Sequence, residues 1–137
     1  MTAKEYLSQY RLLKIKIEHR KSELAEFRDS LTSAGINLGE EKVQTSAQDS
    51  LCRSVVQLLY MEAEIKADIR NLVAFKHRII TEIHSLENPL FVKILYMRYV
   101  EMKSLWDISE EIHYAYRHVK RVHGWALKDF GEKVLKK

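Results

Sequence analysis

The chain has 137 residues, 46% hydrophobic and 31% charged, with 4 Gly and 1 Pro, so the main interrupters of helical runs are scarce and long helices are expected. The single Cys, Cys52, excludes an intrachain disulfide and fits a reducing cytoplasm. No stretch approaches the roughly 18 apolar residues of a membrane span, and the opening "MTAKEYLSQYRLL" lacks the apolar core of a signal peptide, so the expectation is a soluble cytoplasmic protein. The net charge of +4 is unevenly placed. From Asn88 to Lys137 there are ten Lys and Arg against six Asp and Glu, and the first 87 residues balance at thirteen of each. A basic module beside a neutral one is a pattern of nucleic-acid binders.

The first segment carries apolar residues at Tyr6, Tyr10, Leu13, Ile17, Leu24, Phe27 and Leu31, in steps of three, four and seven. This is the 3.5-residue period of a coiled-coil seam, interrupted at Arg20. Residues 32 to 49 lose the period and contain Gly35 and Gly39, which predicts a long, largely mobile loop. Ser46 or Asp49 is a suitable cap for the second helix.

The second segment has a longer seam: Leu51, Val55, Leu58, Glu62, Ile65, Ile69, Leu72, Lys76, Ile79, Ile83 and Leu86. A helix over about 49 to 86 would reach roughly 55 Å at 1.5 Å per residue and needs a partner to bury its stripe. The first segment supplies one through a turn-back. With Leu31 opposite Leu51, Arg20 falls opposite Glu62, a charged pair that would set register more than add stability. A second stripe, Val56, Leu59, Ala63, Val73 and Ile80, lies beside the seam. It suits a homodimer through the hairpin or a packed C-terminal domain.

Pro89 ends the long helix and suits the first turn of the next. Leu90, Ile94, Leu95, Met97 and Tyr99 form a short apolar helix, which "VEMKS" breaks. Ser104 is an N-cap with Asp107 three residues on, and Leu105, Ile108 and Ile112 make the buried stripe of a helix of two to three turns. "HYA" at 113 to 115 is a turn. A last helix from about Tyr116 has Val119, Val122, Ala126, Leu127 and Phe130 on one side, and Arg117, Lys120, Arg121 and Lys128 on the other. A short helix, a three-residue turn and a helix with a basic outer face form a helix-turn-helix, whose second helix can enter the DNA major groove. Arg suits guanine edges there and Lys suits phosphate, and His118 is placed to touch phosphate as well.

His113, His118 and His123 recur every five residues, about 140° apart per step, so no metal site is expected. Trp106 and Trp125 read as core or rim aromatics. There is no Gly-rich phosphate loop, paired-Cys zinc pattern or nucleophile elbow, so neither an enzyme nor a cofactor is expected.

The stretch "ILYMRYVEMKSLWDISEEIHYAYRHVKRVHGWALKDF" resembles region 4 of bacterial sigma factors over about the last 45 residues. The matching pieces are Met97 to Tyr99, "DISEEI" at Asp107 to Ile112, and Ala126 with Leu127. The resemblance places Tyr116, Arg117, Lys120 and Arg121 on the family's base-contacting positions. His113 stands at the family's turn glycine, Ala115 at its capping Ser, and Gly124 is unusual within the helix. Nearly the full chain, from "KEYLSQYRLL" to "ALKDF", is also similar to small phage and prophage proteins of Gram-positive bacteria, of the ArpU and RinA type. That resemblance implies a late-gene transcription regulator in the bacterial host cell, nucleoid-associated when bound to DNA, with double-stranded DNA and host RNA polymerase as partners.

The expected fold is therefore all-α. A long, coiled-coil-like antiparallel helical hairpin over 1–86 precedes a sigma region 4-like helix-turn-helix module over 87–137. The DNA-binding residues are Tyr116, Arg117, His118, Lys120, Arg121 and Lys128, with no membrane contact. The alternative is a protein-interaction module that binds polymerase or another protein without reading DNA sequence.

Overall fold

The computed structural model describes residues 1–33 and 45–136. Among them every element is helical: α1 (Ala3–Ser33), α2 (Thr45–His84), α3 (Pro89–Leu95), α4 (Leu105–Ile112) and α5 (Tyr116–Phe130). α3 runs on into a π-helical turn, Tyr96–Val100, and α5 into another, Gly131–Leu135. The long helices extend further than expected at the connection. Residues 32–33 and 45–49 are helical, so Ser46 and Asp49 lie inside α2 rather than capping it. The remainder of the predicted loop lies outside the described residues. No described helix is long and apolar enough to cross a membrane.

The chain divides into two compact units, Met1–Leu13 with Leu72–Lys137, and Lys14–Asn71. The expected boundary at residue 86 falls within the first of these units.

In the unit formed by residues 14–71, the two helical stretches run antiparallel. Ile17 and Leu31 are buried on one, Leu58 and Ile65 on the other, as the seam requires. The register is not the expected one. Glu62 pairs with Arg28, while Arg20 reaches Asp68 at 2.5 Å and Glu64 at 3.8 Å. The strongest pairs place the register about one and a half to two helical turns from the expected one. The expected register assumed that the two charged seam positions face one another. In the observed register both charges lie at the rim, where each finds a different opposite charge while still partly exposed.

In the other unit, α3, α4 and α5 pack around Ile94, Met97, Ile108, Val119 and Val122. A second and larger cluster joins the start of α1 and the end of α2 to them. Ala3, Leu7, Tyr10, Ile79, Ile83 and Leu86 meet Leu95, Tyr99, Val100, Ala126 and Phe130. Leu7, outside the 3.5-residue seam, is completely buried, because the first turns of α1 are enclosed by more than one neighbour. The Tyr6 hydroxyl donates to Glu82 at 2.6 Å in the same unit.

α3 starts as its sequence dictates. The Asn88 side chain accepts from the Leu90 N–H at 3.0 Å, and Pro89 opens the helix without a donor to lose. The "VEMKS" break is a short tight passage in which Met102 takes a left-handed φ of 60°. Arg98 braces it through a 3.0 Å hydrogen bond to the Lys103 carbonyl. Lys103 in turn bridges Glu101 at 2.8 Å and Glu111 at 2.6 Å, tying the break to α4.

Candidate nucleic-acid interface

α4 begins at Ser104, whose hydroxyl accepts from the Asp107 N–H at 3.1 Å. Its stripe is buried at Ile108 and half-buried at Leu105 and Ile112. The helix stops at His113, which takes φ 61° and ψ 37°. This left-handed conformation suits glycine and costs a side-chain-bearing residue about 1 kcal/mol. The Tyr114 N–H closes the turn on the Ser109 carbonyl at 3.1 Å. Ala115 is extended at the N-cap position of α5 and offers no side-chain acceptor. The first amide N–H groups of α5 are therefore left without a side-chain cap, at the positive end of the helix dipole.

Val119, Val122, Ala126 and Phe130 turn the apolar face of α5 inward. That fixes the opposite face. Arg117, His118, Lys120, Arg121 and Lys128 are all exposed, and Tyr116 is exposed at the edge. Arg117, Lys120, Arg121 and Lys128 form no ion pair with any described residue, in contrast to Arg20, Arg28, Arg78, Lys103 and Lys133. Lys120 instead places its ammonium 5.4 Å from the centre of the Tyr116 ring. The surplus positive charge of the C-terminal residues is thus partly gathered on one helix face, available to an external anion.

Exposed aromatics flank this face. Trp106 of α4 meets Tyr116 edge-on at 5.5 Å, and Tyr114 of the turn meets His118 at 5.6 Å. Trp125 is exposed on α5 itself. Trp106 and Trp125 are rim residues rather than core. Their positions are legible from the helical wheel, since Trp125 is one step from buried Ala126 and turns about 100° away from it.

The three spaced histidines separate in space. His113 makes the turn and His118 lies on the exposed face, while His123 packs inward on Tyr99 with Nε2 2.8 Å from the hydroxyl. Burial, then Arg98 and Lys4, push His123 down to about 4. Burial pushes the Tyr99 hydroxyl up to about 12. At neutral pH the pair is uncharged, and it adds no cation to the basic face. This inward role of His123 had no signal in the spacing of the histidines. Among the described residues, no group of three or more His, Cys, Asp or Glu is placed to hold a metal ion.

No family model, curated protein or solved structure matches the chain.

Proposed function

We propose that the protein is a DNA-binding transcription regulator of phage or prophage type, acting with host RNA polymerase on late promoters. In this reading residues 1–86 are a hairpin scaffold, and α4, the turn and α5 are a sigma region 4-like helix-turn-helix. The observation that carries it is the exposed face of α5, where Arg117, Lys120, Arg121 and Lys128 have no ion-pair partner among the described residues. Cations kept free on one helix face release counterions when they meet phosphates, and Arg side chains on the first turns of such a helix can reach base edges. Tyr116 and His118 add contacts at the margin. Gel-shift on random-sequence duplexes, followed by selection, tests the reading. Binding that weakens steeply with salt, and enrichment of a sequence, are the expected results. No duplex binding at low salt, or affinity indifferent to salt, rejects it.

A second reading has support from α4. Asp107 and Glu110 are exposed beside Trp106, a combination suited to a basic protein surface rather than to phosphate. Under this reading the module contacts polymerase or another protein and does not read DNA. Pull-down of purified polymerase by the chain, abolished by Asp107→Lys but unaffected by Lys120→Ala, with no duplex selected, is the outcome that favours it.

A further inference from the structure

Gly124 is exposed in the interior of α5, and nothing among the described residues calls for a glycine there. A Cβ built at that position meets no atom within 4 Å, and the backbone is not in the left-handed region that favours glycine. Glycine is also the poorest helix former after proline. Its neighbours on the exposed face are the free cations. Lys120 and Arg121 lie one turn before it, Lys128 one turn after, and Arg117 two turns before. One use of glycine is to let a helix backbone come close to a ligand, and this one stands in the middle of the cationic face.

We propose that Gly124 is the point at which the wall of the DNA major groove approaches α5 most closely. The missing side chain lets the helix sit deep enough for Arg117 and Arg121 to reach base edges, while Lys120 and Lys128 take phosphates on either side. A bulky side chain at 124 would act as a spacer, lifting the whole basic face out of the groove. This inference rests on the duplex-binding reading above and assigns a positioning residue within it.

The test uses the full-length chain with Gly124→Ala and Gly124→Leu, measured by thermal denaturation and by binding to a random-sequence duplex pool at low salt. Both variants should melt above the wild type, because both improve helix propensity and the space around the position is open. Gly124→Leu should nevertheless bind the pool about ten-fold more weakly or worse, because a lifted face also loses the Lys120 and Lys128 phosphate contacts that dominate binding to random sequence, with Gly124→Ala between it and the wild type. Wild-type affinity in Gly124→Leu, together with higher melting, overturns the proposal and leaves the DNA reading standing. A lower melting temperature for Gly124→Leu also overturns it, since the protein's interior would then need the glycine. Failure of the wild type to bind any duplex removes the DNA reading and this inference with it.

Discussion

His123 holds its place behind the basic face as a neutral ring against Tyr99. Its folded-state value, about 4, lies below the ordinary 6.5. As the pH falls, the unfolded chain takes up this proton first, so the stabilisation is present above about pH 6.5 and is lost between there and about 4. With the side chain only about half enclosed, the loss is about 1–2 kcal/mol after allowance for solvent screening. Denaturant melts across this window should show the wild type losing stability, and His123→Gln losing less over the same range. An identical acid limb in the variant would remove His123 as the titrating group. The cations of α5 divide by role in the proposed function. Lys120→Ala should weaken binding to all duplexes and lower the salt slope by about one phosphate. Arg117→Ala or Arg121→Ala should instead cost about 1–3 kcal/mol of discrimination between sequences. Equal losses on selected and random duplexes for all three variants would deny either Arg a base-reading role.

Among the elements, the pairing of α1 with α2 over residues 14–71 buries Ile17 and Leu31 with Leu58 and Ile65 and matches charges other than the two expected to meet. Arg28 and Glu62 interact across the two helices, whereas Arg20 serves Asp68 and Glu64. A double-mutant cycle on Arg28 and Glu62 should give a coupling of about 0.5 kcal/mol, small because both side chains keep contact with solvent. The cycle on Arg20 and Glu62 should be additive. Coupling in the second and none in the first would restore the symmetric register read from the sequence. The difference was not legible in the sequence because a heptad seam fixes which face is buried, but not which turn of one helix meets which turn of the other. By contrast, both ends of α4 and the start of α5 were readable, because each depends on a local signal. Ser104 caps α4, and the turn residues His113 to Ala115 separate two apolar stripes. His113 takes the conformation usually left to glycine, so tertiary packing of Ile108 against Val119 and Val122 holds a turn that its sequence disfavours.

For the molecule as a whole, the division into units has an experimental consequence. The core behind α5 draws Ala3, Leu7 and Tyr10 from one end of the chain and Ile79 and Ile83 from the end of α2. A fragment of residues 87–137 lacks all of these, leaving Leu95, Tyr99, Val100, Ala126 and Phe130 uncovered on that side. It should show no cooperative thermal transition by circular dichroism, while the full chain does; a sharp transition in the fragment would deny the shared core. In the full chain, Leu7→Ala should cost about 2–5 kcal/mol, as expected for a fully buried leucine. The second stripe of α2 is only partly covered within the described residues. Ile80 is partly buried against the core, but Val56 and Leu59 remain 65% and 58% exposed, with Ala63 open beside them. We propose that a second copy covers this face in the residue 14–71 unit, as a two-fold dimer suited to paired half-sites on DNA. Sedimentation should give a dimer at micromolar concentration, and Val56→Lys with Leu59→Lys a monomer of unchanged helicity. Exposed Cys52, close to the stripe, should be alkylated more slowly as concentration rises. A wild type that stays monomeric ends this proposal.

The sequence alone determined that the chain is helical, where its seams lie, where α4 begins and ends, where α5 begins, and which face of α5 carries the cations. Those features follow from periodicity, caps and turn residues acting over one or two helical turns. The tertiary structure decided the rest: the register of α1 on α2, the burial of Leu7, the pairing of His123 with Tyr99, and the enclosure of α5 by the start of α1 and the end of α2. Each of these depends on which apolar surfaces meet across long separations in the chain, and the period of a helix is the same whichever partner covers it.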